Sequence, residues 1–159
     1  MPTLQFSVDS ALLRELGERL VGQPHIALAE LIKNSYDADA AAVEVRITPD
    51  QIEVADNGQG MNLSEFKRFW MRIGSTHKGA QRRSRKLHRP LTGQKGIGRL
   101  AAQFLGSGLT LITASDRGGR ELRARVDWAK AVRAGELTRA EAKYLERART
   151  TLFPGDERH

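Results

Sequence analysis

The sequence predicts an α+β fold, a two-layer sandwich in which helices cover one face of a mostly antiparallel sheet. Two observations predict it. Two pairs of short segments alternate apolar and polar residues, and the segments around them carry apolar residues at helical spacing. The 159 residues fit a single domain over residues 1–159, which can bury roughly 70% of its unfolded surface without a disulfide or metal.

The N-terminal part of the chain predicts two helices. Four leucines at helical spacing predict the first helix over residues 9–21, and Gly22-Gln23-Pro24 ends it. Apolar residues from Ile26 to Tyr36 predict the second helix. They are dense enough to indicate that this helix is largely buried.

Two hairpins are predicted from alternation. Residues 43–47 and 51–56 form the first pair, with a turn at Thr48-Pro49-Asp50. Residues 109–114 and 121–126 form the second pair, joined by a glycine-containing turn. The glycine-rich residues 57–60 follow the first hairpin as a tight loop.

Between the hairpins, the pattern predicts a helix over residues 62–73, a loop over residues 75–92 and a helix over residues 97–105. The loop is polar, basic and without periodicity.

The C-terminal part predicts one more helix. Thr138 and Glu141 form a capping-box pattern, and apolar residues at helical spacing continue to Leu152. Residues 128–159 are therefore expected to form a C-terminal helical segment.

Composition excludes several classes of function. The absence of cysteine excludes thiol catalysis, disulfides and Cys-ligated metal sites. The four histidines are scattered, which argues against a metal site made only of protein ligands. No apolar run approaches the ~20 residues that span a bilayer, and the N-terminus lacks a signal-peptide pattern. We expect a soluble, cytoplasmic protein without membrane contact.

Positive charge is concentrated in one stretch. The net charge is +7, and residues 67–99 contain eleven Lys or Arg and no Asp or Glu. Such a block suits phosphates, either of a nucleotide or of nucleic acid. A solvated basic loop is an equally good explanation for residues 82–89.

Three short patterns carry candidate chemistry. Glu30, Asn34 and Asp37 fall close together on the second helix and could orient water and ligate Mg²⁺, although a solvent-facing polar stripe explains the same spacing. Asp56, at a strand end before Gly58 and Gly60, could accept a hydrogen bond from an exocyclic amine, although Asp-Asn-Gly is also ordinary turn chemistry.

The third pattern is Gly93-x-x-Gly96-x-Gly98 ahead of a helix. Its N–H groups and the helix dipole could hold phosphates, with Lys95 and Arg99 adding charge. It lacks the Gly-Lys-Ser/Thr of a Walker A loop and the leading strand of a Rossmann fingerprint. A flexible hinge is the alternative.

In their order and spacing, the three patterns resemble the boxes of the GHKL superfamily, whose ATP-binding domain has the Bergerat fold. The matching boxes are Glu30-Leu-Ile-Lys-Asn34-Ser-Tyr-Asp37-Ala38, Asp56-Asn-Gly58-Gln-Gly60-Met61 and Gly93-Gln-Lys-Gly96-Ile97-Gly98. The resemblance spans about residues 26–105.

The resemblance implies ATP and Mg²⁺ as cofactors and a role for each box. Glu30 would be the general base that orients the attacking water, and Asn34 would ligate Mg²⁺. Asp56 would bind the adenine amine, with Asp37 near the adenine or supporting Asp56. The remaining implied nucleotide contacts are Gly58, Gly60, Met61, Lys78, Gly93, Lys95, Gly96, Ile97 and Gly98. Residues 75–95 would form the ATP lid.

Residues 69–78 resemble the hydrolysing branch of the superfamily, which includes MutL, the ninety-kilodalton heat-shock chaperone and MORC. That branch implies a module that dimerises when ATP binds and drives a larger machine. A histidine-kinase-type domain and a nucleic-acid-binding module using the basic lid are the alternatives. The family's Gly-Thr segment and closing strand are not found after Val126. Either the fold is truncated at the C-terminus, or its sheet is completed differently.

Overall fold

The computed structural model describes residues 3–5, 7–8, 23–73, 83–92, 102, 105–115, 118–127, 141–151 and 153–155. The helix predicted over residues 9–21 and most of the helix predicted over residues 97–105 lie outside these ranges. Among the described residues, no helix has the length and apolar character needed to cross a membrane.

The described chain contains short helices and antiparallel sheets, which confirms the predicted α+β class. The strands are β1 (Thr3–Gln5), β2 (Ser7–Val8), β3 (Val43–Ile47), β4 (Ile52–Asp56), β5 (Arg72–Ile73), β6 (Gly108–Ala114), β7 (Arg120–Asp127) and β8 (Glu141–Ala148). The helical segments are α1 (Pro24–Asp37), α2 (Leu63–Glu65) and a π-helical turn (Phe66–Trp70).

One four-stranded sheet contains the three C-terminal strands and the N-terminal strand β1. Its order is β1-β8-β7-β6, with every neighbouring pair antiparallel. Strands β3 and β4 form a separate antiparallel hairpin, and β2 pairs with β5 in parallel. Both predicted hairpins are therefore confirmed, as β3–β4 and β6–β7.

Alternation along β7 divides the four-stranded sheet into two faces. Leu122, Ala124 and Val126 are buried, and so is Ala142 opposite Val126 on β8. On the same side, the Lys67 ammonium of the π-helical turn lies 5.8 Å from the centroid of the Tyr144 ring. This inner face therefore packs toward the π-helical turn.

Helix α1 confirms the second predicted helix but is less buried than expected. Pro24 occupies the first turn, where a missing N–H costs nothing. Ala27, Ser35 and Asp37 are buried, whereas Ile26, Ile32 and Tyr36 keep about 40% of their surface exposed. The expectation of a largely buried helix is wrong, because its apolar residues lie around the whole circumference and only one stripe faces inward.

The helix predicted over residues 62–73 is shorter and irregular. Asn62 and Glu65 form a complete capping box, and the chain then widens into the π-helical turn, where the N–H of Met71 bonds to the carbonyl of Phe66. Phe66 is fully buried and its ring stacks on Trp70 at 5.1 Å. Helical geometry ends before β5, since Arg72 and Ile73 pair with β2.

The predicted C-terminal helical segment is wrong over Glu141–Ala148, which form strand β8. These residues pair with β7 from Ala142 opposite Val126 to Ala148 opposite Arg120. Because a neighbouring strand supplies backbone partners along the whole segment, sheet pairing overrides the helical spacing of the local sequence. Residues 128–140 of the predicted segment lie outside the described ranges.

Candidate functional site

The C-terminal half of α1 and the end of β4 meet through a buried hydroxyl. Ser35 Oγ donates to Asp56 Oδ2 at 2.7 Å. The other carboxylate oxygen, Oδ1, accepts the N–H of Gly58 at 2.9 Å. Both oxygens of Asp56 are thus oriented by neighbours from two elements, one oxygen by the helix and one by the following loop.

The loop after Asp56 is fixed against the end of α1. Asn57 Oδ1 accepts the N–H groups of Ala41 and Ala42, both at 2.8 Å, and the N–H of Gln59 donates to the carbonyl of Ala38 at 2.9 Å. A Cβ on Gly58 would lie 2.8 Å from that same carbonyl oxygen. Only glycine allows the loop backbone to lie this close to the Ala38 carbonyl. The first and second boxes therefore form one rigid unit.

The far side of the loop contacts strand β6. Gly60 has φ of 59°, and a Cβ there would overlap the carbonyl of Ala114. The N–H of Met61 donates to the buried Thr113 hydroxyl at 2.8 Å. The second box is therefore held between α1 and the end of β6.

Glu30 and Asn34 lie on the half-buried side of α1. Lys33 Nζ donates to Glu30 Oε1 at 2.7 Å, with 28% of the Glu30 side chain and 52% of the Lys33 side chain exposed. This hydrogen bond and the charge of Glu30 raise the pKa of Lys33. Within the described chain, the Asn34 side chain makes no hydrogen bond, so its amide remains available.

Asp37 connects the first box to the third. Its Oδ1 accepts both the N–H of Thr92 at 2.8 Å and the Thr92 hydroxyl at 3.0 Å. Thr92 directly precedes Gly93. The sequence predicted Asp37 near the adenine or in support of Asp56. The described contacts show that Asp37 holds Thr92 and that Ser35 bonds to Asp56, and the position of Asp37 near the adenine stays a prediction.

Asp39 anchors the described part of the predicted lid, residues 83–92. It is buried, has φ of 64°, and accepts the N–H groups of Lys86 and Leu87 at 2.8 and 3.2 Å. Burial acts to raise the pKa of this carboxyl. Its hydrogen bonds, first among them one with Ser84, outweigh burial and hold the pKa below its ordinary value.

Arginine side chains reinforce this attachment. Arg89 donates to the carbonyl of Ala40 at 2.7 Å, and its guanidinium lies 4.8 Å from the centroid of the Tyr36 ring. Arg83 donates to the carbonyl of His88, and Arg85 lies 3.5 Å from Glu65. Residues 83–92 are therefore a folded turn held on the end of α1.

The remaining predicted site residues lie outside the described ranges. They are Lys78, Gly93, Lys95, Gly96, Ile97 and Gly98. Of the predicted lid over residues 75–95, residues 83–92 are described. The phosphate-binding part of the site stays a prediction from the sequence.

Sequence patterns missed several hydroxyl partners, namely Ser35, Thr92 and Thr113. One of them carried a usable indication. Ser35 stands eight residues after Ala27 on the buried stripe of α1, and a buried polar side chain requires a hydrogen-bond partner. Thr92 and Thr113 carried no such indication, because a threonine hydroxyl can donate to or accept from many kinds of partner and its residue type does not identify one.

Two comparisons with known proteins bear on this site. The family model described as "Histidine kinase-, DNA gyrase B-, and HSP90-like ATPase" matches residues 22–152. The chain is also similar to the "Putative type II restriction enzyme HgiDII" of Herpetosiphon aurantiacus, with 34% identity over 99 residues. The matched region covers 62% of this chain and 16% of that relative, so the chain spans a small part of the relative's length.

Proposed function

Because the chain belongs to the family of histidine kinase-, DNA gyrase B- and HSP90-like ATPases, it is a GHKL-type ATP-binding module, and we propose that it hydrolyses ATP with Mg²⁺. The observation that carries the proposal is the arrangement of Ser35, Asp56 and Gly58, which presents an oriented carboxylate beside a fixed glycine loop.

Adenine recognition is assigned to Asp56. A carboxylate has about four lone-pair positions, and the structure uses one on each oxygen, for Ser35 and for Gly58. The carboxylate therefore keeps acceptor capacity for the adenine amino group. Because Gly58 and Gly60 carry no side chain, a flat ring can approach the loop backbone closely.

Asn34 fits a role in holding Mg²⁺. Its half-buried amide is not engaged by any other described residue, and Mg²⁺ prefers oxygen ligands while keeping several waters. Among the described residues, no three His, Cys, Asp or Glu side chains gather into a metal site. The proposal therefore assigns the other ligands to phosphate oxygens and water. When bound, the ion would neutralise phosphate charge.

Glu30 would position and deprotonate the attacking water. It lies one helical turn before Asn34 on the same side of α1. In the proposed step, the water oxygen bonds to the terminal phosphorus, the bond to the ADP oxygen breaks, and the water proton passes to Glu30. The Lys33 ammonium at 2.7 Å holds the carboxylate in place before the step.

The test is ATP turnover by the Glu30→Gln variant, measured as phosphate release with Mg²⁺. General-base catalysis contributes about 10²–10⁴-fold, so turnover should fall by at least 100-fold while ATP affinity changes little. Glu44→Gln, an exposed substitution on β3, is the matched control and should keep wild-type turnover. Equal turnover by wild type and Glu30→Gln would refute the hydrolytic role.

The same module is proposed to work in a DNA-processing protein, as a dimer that closes when ATP binds. The similarity to a protein described as a restriction enzyme supports the DNA context. The basic lid of residues 75–95 stays an alternative surface for DNA contact, although its described arginines, Arg83, Arg85 and Arg89, also bond within the chain.

A further inference from the structure

The outer face of the four-stranded sheet is the side opposite the buried inner face. Strand register and alternation assign its described side chains to β6, β7 and β8. They include Thr110, Ile112, Arg123, Arg125, Lys143, Leu145 and Arg147. None of these side chains is fully buried, and the three on the Thr110–Arg125–Lys143 row are exposed.

Two cations face each other at the centre of this face. Arg125 and Lys143 are register partners on adjacent antiparallel strands. Like charges directly opposite each other are destabilising. Within the described chain, neither side chain has a hydrogen bond or an ion pair that would offset the repulsion. This repulsion therefore lowers the stability of the free protein. An anion that contacts both side chains would offset the repulsion.

Two further cations extend the same face toward the start of β7. Arg123 and Arg147 both bond to Oε1 of the fully buried Glu121, at 2.8 and 2.7 Å. Their side chains remain 34% and 43% exposed. One buried carboxylate thus serves two arginines, so this part of the face keeps a net positive charge. Asp127, at the far end of β7, already has a partner.

The composition of the face discriminates between kinds of partner. Its described residues include no aromatic ring, since Tyr144 belongs to the inner face. Single-stranded nucleic acid is bound on aromatic platforms, and the centres of protein interfaces are enriched in aromatic residues and depleted in charged residues as a whole. A flat row of exposed cations is instead suited to a phosphate backbone, which is contacted without base readout.

We propose that the outer face, centred on Arg125 and Lys143, binds the phosphate backbone of duplex DNA without sequence preference. The proposal rests on the DNA context of the proposed function but is independent of ATP binding. Each cation that contacts a phosphate adds about one to the salt dependence of binding. The Arg125–Lys143 pair should therefore contribute about two to the slope of log K against log salt.

The experiment measures binding of a fluorescent duplex oligonucleotide by anisotropy across a salt series. The wild type is compared with the double variant Arg125→Ala/Lys143→Ala. The double variant should bind roughly 10-fold more weakly and lose about two from the slope of log K against log salt. Arg46→Ala/Arg68→Ala removes the same charge from β3 and the π-helical turn and should bind DNA as the wild type does.

Each of the following results would overturn the proposal: unchanged duplex affinity of the double variant, absence of duplex binding at low salt, or equal competition by a polyglutamate peptide of matched charge. Equal affinity for a single strand would also contradict it.

ATP affinity, titrated in the same samples, should be identical in wild type and variant. Absence of ATP binding by the wild type would refute the proposed function but not this assignment, whereas absence of duplex binding by the wild type would refute this assignment but not ATP binding. Thermal melting checks the fold, and the double variant should melt no lower than the wild type, because the substitution removes a repulsion.

Discussion

Ser35 Oγ lies 2.7 Å from Asp56 Oδ2, and this hydrogen bond joins the last turn of α1 to the end of β4. Ser35 is 3% exposed, so its hydroxyl is removed from competing water. The same helix carries Glu30 and Asn34. A single buried contact therefore fixes the proposed adenine acceptor relative to the proposed catalytic helix.

Ser35→Ala should weaken ATP binding without abolishing it. Loss of one hydrogen bond to a charged group costs about 1.5–3 kcal/mol when the partner stays buried. Because Asp56 is only half-buried and keeps its bond to Gly58, we expect the lower end, roughly a 10-fold rise in Kd. Isothermal titration measures it. Ser64→Ala, exposed on α2, is the control, and an equal effect of both substitutions would contradict the assignment.

Gly60→Ala should be strongly destabilising. Gly60 combines a positive φ with a site where an added Cβ overlaps the carbonyl of Ala114. Relief requires the loop to move away from β6, which breaks the bond from Met61 to Thr113. We expect a loss of about 2–4 kcal/mol in the free energy of unfolding, measured in urea. Gly119→Ala, where a Cβ meets nothing within 4 Å, should stay within about 0.5 kcal/mol. Similar stability of the two variants would exclude the overlap.

Glu121→Gln should destabilise the sheet more than any exposed charge substitution. Every partner of this buried carboxylate is a donor, including two arginines on Oε1 and the N–H groups of Thr150 and Thr151 on Oε2. These donors hold the pKa of Glu121 well below its ordinary value, despite burial. A Gln amide would direct its own N–H groups at one set of donors.

The expected loss is about 2–3 kcal/mol, discounted because both arginines are partly exposed. Chemical unfolding at pH 7 measures it. Glu53→Gln removes an exposed ion pair with Arg46 and should cost less than about 1 kcal/mol. A loss of the same size for both variants would show that the Glu121 cluster has no special role.

Asp39→Asn should reduce stability in a pH-dependent way. Because the pKa of Asp39 is depressed in the folded protein, its contribution is present above the unfolded-state pKa of about 3.9 and is lost as pH falls through the folded value. At pH 7 the variant should be about 1–2 kcal/mol less stable than the wild type. The difference should shrink below about pH 4.

Urea unfolding of both proteins at pH 7 and at low pH gives this comparison. Asp50→Asn, in the exposed turn between β3 and β4, controls for the loss of one negative charge. A wild-type advantage that persists unchanged at low pH would mean that the ionised form of Asp39 does not hold residues 83–92.

Elements with a clear local periodicity could be predicted from the sequence. The hairpin of β3 and β4 follows from strict alternation, and α1 from apolar spacing between proline and a run of small residues. Strand β8 could not be predicted. Its apolar residues fit helical spacing, and only pairing with β7, remote in sequence, decides its conformation.

Within the site, the charged residues were easier to find than the residues that position them. Glu30, Asn34 and Asp56 stand out because polar groups in apolar surroundings need a reason. The structure adds that Asp37 serves Thr92 and that Ser35 serves Asp56. Such pairings depend on distances between segments, which no local pattern contains.

Recognition of adenine by Asp56 is tested by the affinity of the purified protein for ATP and for GTP in the presence of Mg²⁺. Adenine presents an amino group where guanine presents a carbonyl oxygen, and Asp56 accepts the former but repels the latter. We predict that ATP binds at least about 10-fold more tightly than GTP, since a mispaired acceptor at Asp56 costs more than about 1.4 kcal/mol. Equal affinity for the two nucleotides, or no binding of ATP, would contradict it.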